Sequence, residues 1–289
     1  MKDLFKVYIH GFWGGFDYKV FPIYGLLEKY FPSIEVVTNP NDEFDLCLSS
    51  VFCEHTRPVF LQDKFCIQYS GESKENYGRF EWGDYHIGFQ LDSSNNLHFP
   101  IWKISLIDYF NKTFSIREDP RPLVKKSRYC GVFASHDPKG SRARLWNVMQ
   151  SFGPIDSYGY WRRNCIPDNK LYTNDQIRGQ SKMSILDHYL FNICSENTIE
   201  DYYLTEKLPE AMLANTIPIY IGDPKISESI LNPKRFINAT YMSDSDLVKE
   251  ISSINLDSFL REPVFTEPLF KNGIEERAYK LIDRIQEEF

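Results

Sequence analysis

Two short apolar runs, joined by a polar loop and a helical pattern, constrain the fold of this chain more than any other feature. The first run, Tyr189 to Cys194, predicts a buried strand, and the second, Ile217 to Ile221, predicts another. Between them, apolar residues recur at helical spacing after Thr205, the predicted N-cap. The stretch therefore predicts strand, loop, helix and strand, which is the repeating unit of a parallel α/β sheet.

In such a unit, the loop after a strand and the first turn of the next helix border the crevice where ligands bind. Lys207 lies in that first turn, where free backbone N–H groups also favour a negative charge. The pattern thus favours a phosphate-containing ligand. It equally allows a Thr-capped helix that carries a solvated pair of Glu206 and Lys207.

The order of polar residues in this stretch resembles the signature of the α-1,3/4-fucosyltransferases, which are inverting, GDP-fucose-dependent enzymes of the GT-B fold. The matching segments are Asn-Ile-Cys-Ser-Glu-Asn at 192–197, Tyr-Tyr-Leu-Thr-Glu-Lys at 202–207 and Thr-Ile-Pro-Ile-Tyr-Ile-Gly at 216–222. Where the family usually has Cys-Phe-Glu-Asn, this chain has Cys-Ser-Glu-Asn, which keeps the carboxylate and the amide. The resemblance implies an α/β GT-B fold, in which two Rossmann-like domains with parallel sheets face a central cleft.

The resemblance also implies which residues bind GDP-fucose. Lys207 is expected on the diphosphate. Asn197, Tyr203 and Glu206 are expected around the diphosphate, fucose and ribose. Glu196, which keeps the family's carboxylate, is a further candidate contact.

Arginine side chains upstream are also candidates for the diphosphate, because a guanidinium offers paired donors to phosphate oxygens. Arg162 and Arg163 lie in a glycine-containing loop, and a solvated loop charge is the alternative for both. In the family an Arg-Asn pair in such a loop contacts the diphosphate, so the resemblance favours Arg163, which precedes Asn164. Arg142, near the start of a predicted helix, is a candidate contact or merely a surface charge.

The candidate general base follows the predicted strand Phe65 to Tyr69. A carboxylate there can remove the proton of an acceptor hydroxyl, although most exposed loop glutamates are only solvated turn residues. Ser-Gly-Glu at 70–72, followed by Asp-Tyr-His-Ile-Gly-Phe at 84–89, resembles two family motifs and implies that Glu72 is the base. Trp13 and Gly14, in a loop after the first predicted strand, are candidate donor or acceptor contacts.

Strand and helix patterns alternate along the chain and predict two domains. Residues 1–118 are expected to bind the acceptor and supply the base, and residues 119–289 are expected to bind GDP-fucose. A predicted helix at 175–188 precedes the signature strand and carries Lys182, which is expected to face solvent. The C-terminal pattern, Asn272 to Phe289, predicts an amphipathic helix that either crosses back to the first domain or packs in its own core.

Charge and cysteine usage exclude several classes of function. A net charge of −7 over 289 residues argues against a nucleic-acid partner. The six cysteines show neither a CxxC pair nor Cys/His zinc spacing, which predicts free thiols and no metal site. No apolar run is long enough for a transmembrane segment, and we expect a cytoplasmic, bacterial-type enzyme, with peripheral binding at the inner membrane left open.

The resemblance implies a reaction: inverting transfer of L-fucose from GDP-fucose to a hydroxyl of a GlcNAc- or glucose-containing glycan, forming an α-1,3 or α-1,4 linkage. The acceptor would be an oligosaccharide or glycoconjugate, with Lewis-type and lipopolysaccharide glycans as candidates. No Asp-x-Asp motif lies beside a small-residue strand, so fixed cations rather than an essential metal are expected to stabilise the departing GDP. No cofactor is expected, and stimulation by a divalent metal is left open.

Two other functions stay open on the sequence. One is a GT-B transferase that uses a different nucleotide sugar, and the other is a nucleotide-sugar-binding protein without turnover. Replacement of Lys207 by Ala is expected to lower transfer severely while leaving the fold intact, which would support the diphosphate assignment.

Overall fold

The computed structural model describes residues 4–73, 82–105, 126–166, 179–266 and 270–289, which form two compact units. The first unit contains Met1–Asp108 and Lys271–Phe289, and the second contains Tyr109–Phe270. The predicted domain boundary at residues 118 and 119 lies outside the described residues. In the described part of the chain, no helix has the length and apolar character required to cross a membrane.

The first unit is built on a six-stranded parallel sheet with the strand order β2-β1-β3-β4-β5-β6. Its strands are β1 (Phe5–His10), β2 (Ile34–Val37), β3 (Leu46–Ser50), β4 (Phe65–Tyr69), β5 (Tyr85–Gly88) and β6 (Asn96–His98). The chain forms β2 on one side of β1 and then returns to the other side for β3. The strand order therefore reverses between β1 and β3, the point where ligands bind in open α/β sheets.

Helices cover the apolar faces of this sheet. Helix α1 (Pro22–Tyr30) begins with a proline in its first turn, and short 3-10 helices occupy Tyr18–Val20 and Val59–Leu61. The C-terminal helix, which ends at Gln286, packs on this unit as well. The Tyr279 ring contacts that of Tyr30 edge-on at 5.8 Å, and Phe289 contacts Phe5 at 5.3 Å.

The second unit contains a five-stranded parallel sheet with the strand order β11-β10-β9-β7-β8. Its strands are β7 (Arg128–Val132), β8 (Ile155–Ser157), β9 (Tyr189–Ser195), β10 (Ile217–Ile221) and β11 (Ile237–Asn238). After β8 the chain returns to the far side of β7 to form β9. Here the order reverses between β7 and β9, so the loops that follow these two strands border the predicted ligand crevice.

The helices between these strands are α2 (Ser141–Gln150), α3 (Gly179–Leu186), α4 (Lys207–Leu213), α5 (Pro224–Ile230), α6 (Asp244–Ser253) and α7 (Leu256–Arg261), with a 3-10 helix at Pro233–Arg235. The C-terminal helix of the first unit is α8 (Phe270–Gln286). Buried aliphatic side chains of β7, β9 and β10 form the core of the second unit with residues of α2 and α6. Strands buried on both faces explain the continuous apolar runs in the sequence.

Most predicted strands agree with the structure, but two local predictions are wrong. Helix α4 begins at Lys207, so its N-cap residue is Glu206 rather than Thr205. The Thr205 hydroxyl is oriented by Glu196, to which it donates, and its oxygen accepts the Lys207 N–H only at 3.5 Å. Lys182 does not face solvent: its side chain is 9% exposed, and its ammonium group lies 2.9 Å from the buried carboxylate of Glu210. Helix α3 packs on α4, so the ion pair is formed across that helix contact.

Candidate functional site

Three loops meet at the carboxyl edge of the second sheet, following β7, β8 and β9. The first two are in direct contact, since a Cβ atom at Gly159 would lie 1.8 Å from the carbonyl oxygen of Ala134. The backbone N–H of Trp161 donates to that same oxygen at 3.0 Å. Only glycine permits this approach, which fixes the Arg162–Arg163 segment against the loop after β7.

Glu196 anchors the loop that follows β9. Its side chain has no exposed surface, and its two carboxylate oxygens accept hydrogen bonds from the Thr205 N–H at 2.9 Å and the Thr205 hydroxyl at 2.7 Å. The Lys207 ammonium donates to it at 3.0 Å. A buried carboxylate needs such partners to offset the loss of hydration. Glu196, a candidate ligand contact from sequence, is therefore placed beneath the loop as the group that positions Lys207.

Lys207 is the cation that the loop presents. Its ammonium nitrogen donates to Glu196 and, at 2.9 Å, to the Thr205 hydroxyl oxygen. These are its two hydrogen bonds within the described residues, and an ammonium group carries three N–H bonds, so one is left for a ligand. Burial lowers the pKa of Lys207, but Glu196 and Glu206 raise it, and the net effect is a pKa above the ordinary value. The side chain, 19% exposed, is therefore cationic at neutral pH.

The structure differs here from both sequence-based interpretations of the helix start. The carboxylate that pairs with Lys207 is the buried Glu196, so the pair is not a solvated one with Glu206. Helix α4 has only seven residues, which leaves it a small macrodipole. The case for an anion at this position therefore rests on the charged side chain rather than on the helix N-terminus.

Arg142 is a buried cation below the same loop. Its guanidinium donates to the carbonyl oxygen of His136, to that of Ser195 at 2.9 Å and to Asn197 Oδ1 at 2.8 Å. Within the described residues, no carboxylate forms an ion pair with it. Burial lowers its pKa, and nearby carboxylates only partly offset this. Arg142 thus orients the Asn197 amide and adds positive charge beneath the loop.

The N-terminus of α2 was a candidate anion site in the sequence, because Arg142 lies near it. In the structure the carboxylate of Asp137 occupies this helix end. The two oxygens of Asp137 accept the backbone N–H groups of Arg142 at 3.1 Å and Ala143 at 2.8 Å. Gly140, the N-cap residue, has a left-handed φ of 74° and no side chain to do this. These two N–H groups are therefore not available to a phosphate.

His136 is a candidate that the sequence analysis missed. Its pKa is lowered by partial burial and by the positive charges of Arg142 and Lys207. The Arg142 guanidinium also donates to the His136 backbone carbonyl oxygen, so His136 lies beside that cation. The signal in the sequence was the polar Ser-His-Asp-Pro segment directly after a buried strand, a position where ligand-binding loops occur.

The remaining predicted donor residues lie on the same loop. Asn197 is half-buried, and Tyr203 is buried. Glu206, at the start of α4, is half-buried. The backbone N–H of Glu196 donates to the Ile221 carbonyl at 2.8 Å, so the start of the loop is attached to the end of β10. These side chains therefore lie with Lys207 on one segment, which is hydrogen-bonded to the end of β10.

The two adjacent arginines after β8 differ in what they contact. The Arg162 guanidinium lies over the rings of Trp161 and Trp146, at 5.0 and 5.3 Å from their centroids. Arg163 is half-buried, and its guanidinium forms no hydrogen bond or ion pair within the part of the chain that is described. Asn164 closes the loop by bonding the backbone of Ser157 and Ile155, both at 2.7 Å. Arg162 is thus engaged with aromatic rings, which favours Arg163 as the arginine that binds the diphosphate.

The other predicted site residues lie in the first unit, at the carboxyl edge of its sheet. Glu72 is half-buried in a tight turn, where its N–H donates to the Ser70 hydroxyl at 3.2 Å. A Cβ at Gly71 would lie 2.6 Å from the Tyr69 hydroxyl, so a larger residue there would displace that side chain. The Trp13 ring is 40% exposed and packs edge-on against Phe16 at 4.8 Å.

Gly14 has room for a side chain, since no atom of a described residue beyond its chain neighbours lies within 4 Å of the position that a Cβ would occupy. The predicted residues thus form two groups. Arg142, Glu196, Asn197 and Lys207 are connected within the second unit, and Trp13, Gly14 and Glu72 follow strands of the first.

All six cysteines are free thiols, with Cys53 and Cys165 half-buried and the other four buried.

Comparisons with known proteins agree with this architecture. Residues 123–260 match the C-terminal model of glycosyltransferase family 10 (fucosyltransferase). The α-(1,3)-fucosyltransferase FucT of Helicobacter pylori is 25% identical over 269 residues, covering 81% of this chain and 53% of that protein. The chain spans about half the length or less of the curated relatives that it matches first.

Solved structures match nearly the whole chain. A crystal structure of an α1,3-fucosyltransferase has a TM-score of 0.73 and 22% identity, covering 98% of this chain and 90% of that one. A structure of an α1,3-fucosyltransferase with GDP-fucose has a TM-score of 0.68 and 22% identity, covering 96% and 90%. The predicted α/β fold of the GT-B class, with two parallel sheets, is confirmed.

Proposed function

This chain belongs to glycosyltransferase family 10, the fucosyltransferase family, and we propose that it moves L-fucose from GDP-fucose to a hydroxyl of a glycan, with inversion at the anomeric carbon. The observation that carries the proposal is Lys207, which a buried carboxylate holds charged with one N–H to spare. It lies on the loop after β9, at the point where the strand order of the second sheet reverses. A nucleoside diphosphate is the ligand that such a cation suits.

The donor would be held by cations of different kinds. Lys207 and Arg163 donate hydrogen bonds to the diphosphate oxygens, each worth about 1.5–3 kcal/mol. Arg142 contributes its positive charge from below the loop. Its hydrogen bond to Asn197 Oδ1 orients that amide, whose NH₂ group would then donate to the donor substrate. Tyr203 and Glu206 would bind the fucose and ribose. These fixed charges stabilise the negative charge that develops on GDP as it leaves.

Glu72 would act as the general base. Its carboxylate takes the proton of the acceptor hydroxyl while that oxygen attacks the anomeric carbon of fucose, and the bond from that carbon to the GDP oxygen breaks on the opposite face. One inversion results, and GDP leaves with the electron pair. A positioned carboxylate in this role contributes roughly 10²–10⁴-fold to the rate. Trp13 and Gly14 would contact the donor or the acceptor.

The proposal needs no cofactor, because positive side chains supply the charge that a metal provides in other transferases. Stimulation by a divalent metal is compatible with it. The acceptor is proposed to be a GlcNAc- or glucose-containing oligosaccharide or glycoconjugate, such as a Lewis-type precursor or a lipopolysaccharide glycan. An enzyme acting on such precursors would work in the bacterial cytoplasm or at the inner membrane, and cell fractionation would test that location.

A donor panel tests the proposal against its two alternatives. GDP-fucose, GDP-mannose and UDP-galactose would compete for transfer to lactose, N-acetyllactosamine and the type 1 disaccharide, with the products identified by mass spectrometry. We expect a deoxyhexose on at least one acceptor and no other sugar. Preferential transfer of another hexose would show a different GT-B transferase. Binding of GDP-fucose without any product would favour a binding protein.

A further inference from the structure

A cluster of three different metal-ligand types lies in the first unit, apart from every residue used above. His10 ends β1, and Cys53 and Glu54 follow β3. One ligand atom from each of these side chains lies within 4.8 Å of the other two. The strand order of this sheet reverses between β1 and β3, so the cluster occupies the position where open α/β sheets bind ligands.

We propose that His10, Cys53 and Glu54 form a binding site for Zn²⁺ with three protein ligands and one open position. An imidazole, a thiolate and a carboxylate together are a donor set typical of zinc, whereas magnesium and calcium select oxygen ligands. Binding takes one proton from the Cys53 thiol, which passes to solvent, and leaves the imidazole neutral. The site needs nothing from the proposed transferase function.

The distances are close to those of a tetrahedral site. Metal–ligand bonds of about 2.0–2.3 Å place neighbouring ligand atoms roughly 3.3–3.7 Å apart. His10 Nε2 and Glu54 Oε2 are 3.2 Å apart, which is near one edge of such a tetrahedron. The Cys53 sulfur has to move toward this pair by about an ångström at most, given the 4.8 Å limit on the cluster.

The surroundings hold the backbone of Glu54 and the side chain of Cys53, whereas the Glu54 side chain is 65% exposed and can turn toward a metal. The Trp82 indole N–H donates to the backbone carbonyl of Glu54 at 2.9 Å. The Cys53 thiol gives up its hydrogen bond to the Ser50 carbonyl oxygen when it becomes a thiolate, and the Ser49 hydroxyl, 3.7 Å from the sulfur, can then donate to it. Gly11 is in contact with the thiol, since a Cβ there would lie 2.8 Å from the sulfur. Such supporting contacts orient metal ligands in protein sites.

The His10 ring is also fixed by its neighbours. It lies 5.9 Å from the ring of Phe60 and 6.1 Å from that of Trp82, and its side chain is only 15% exposed. A bound metal would join the loop after β1, which carries Trp13 and Gly14, to the loop after β3. No zinc spacing is visible in the sequence, because the ligands come from the end of β1 and from the loop after β3.

Calorimetry with zinc chloride on metal-free protein tests the proposal. We expect one Zn²⁺ per chain, and an affinity that falls at least about a hundredfold in Cys53→Ser and in His10→Ala, because losing a ligand costs more than losing a supporting contact. Cys165→Ser and His188→Ala remove a half-buried thiol and an exposed imidazole from the second unit and should bind as the wild type does. Equal affinity in Cys53→Ser and the wild type, or no binding, would overturn the site.

A second measurement separates ligation from a change in folding. Cobalt(II) should give the near-ultraviolet charge-transfer band of a thiolate ligand in the wild type and in Cys165→Ser, but not in Cys53→Ser. Zinc should also slow alkylation of Cys53 in the wild type, with circular dichroism confirming that all variants are folded. Absence of the cobalt band from wild-type protein, or unchanged alkylation, would contradict thiolate ligation.

Discussion

The carboxylate of Glu196, which has no exposed surface, lies 3.0 Å from the ammonium nitrogen of Lys207. This contact changes what the Lys207→Ala substitution should do. Because the substitution leaves a buried negative charge without its cation, we expect unfolding free energy to fall by about 3 kcal/mol, measured by urea titration. The expectation from sequence, an intact fold with lost transfer, overlooked this partner.

The matched variant for this test removes both charges. In Glu196→Gln/Lys207→Met neither member of the pair is charged, and the glutamine can still accept the Thr205 N–H bond, so stability should exceed that of Lys207→Ala. Transfer should be lost in both variants because neither carries the cation. A Lys207→Ala protein as stable as the wild type would show that the pair is not buried in solution.

The adjacent arginines provide an internal comparison for donor binding. Arg163→Ala should weaken GDP-fucose binding by about 10- to 100-fold, the effect of removing charge-assisted hydrogen bonds to a phosphate. Arg162→Ala removes a guanidinium that lies over Trp146 and Trp161, so it should leave the affinity within about twofold. Isothermal calorimetry measures both. A larger loss in Arg162→Ala than in Arg163→Ala would reverse the assignment.

Substitution of glycine by alanine should strongly destabilise the protein at one position and leave its stability almost unchanged at another. Gly159→Ala places a methyl group 1.8 Å from the Ala134 carbonyl oxygen, and we expect a loss of about 3 kcal/mol or more in unfolding free energy. Gly14→Ala meets open space and should change stability by less than about 0.5 kcal/mol. Thermal unfolding of both variants checks the packing of the loops after β7 and β8. Similar melting temperatures would argue against it.

The buried pair of Lys182 and Glu210 predicts a pH dependence of stability. Burial, opposed by Lys182, raises the pKa of Glu210 from its ordinary 4.5 to about 7. Between these values the folded chain holds a proton that the unfolded chain has released, so unfolding free energy should fall as pH rises from 4.5 to 7.

Glu210→Gln cannot titrate and isolates this contribution. Across the same pH range, its unfolding free energy should fall less than that of the wild type, although leaving Lys182 buried without a carboxylate makes it less stable overall. Urea unfolding at several pH values compares the two proteins. If the unfolding free energies of the two proteins changed in parallel with pH, Glu210 would already be ionised throughout this pH range.

Local patterns in the sequence predicted most of the strands and the parallel sheets, although the short strands β5 and β6 were not predicted. The strand at Ile217–Ile221 is found at the predicted residues because both of its faces are buried, which leaves an unbroken apolar run. Helix ends were less predictable, because the position of the Thr205 hydroxyl depends on a carboxylate that the local pattern does not reveal. The hydroxyl donates to the buried Glu196 at 2.7 Å and accepts the Lys207 N–H only at 3.5 Å, and the helix begins one residue later than predicted.

Tertiary contacts account for most of what the sequence analysis missed. Lys182 appears as an ordinary polar residue in its segment, yet it pairs with Glu210 on a different helix. His136 became a candidate only when the structure showed its backbone carbonyl hydrogen-bonded to Arg142. The polar residues that bind ligands were recognisable from their order, whereas the buried charges that position them depend on tertiary contacts.

The decisive experiment compares wild type with Glu72→Gln. Mass spectrometry measures the deoxyhexose that each protein transfers, and the GDP-fucose affinity of each protein is determined in parallel. Glu43→Gln, at an exposed position before β3, serves as the matched control. We predict fucosylated product from wild type and control, and a rate about 10²–10⁴-fold lower in Glu72→Gln with unchanged donor affinity. Bound GDP-fucose without product in the wild type, or undiminished transfer in Glu72→Gln, would contradict the account.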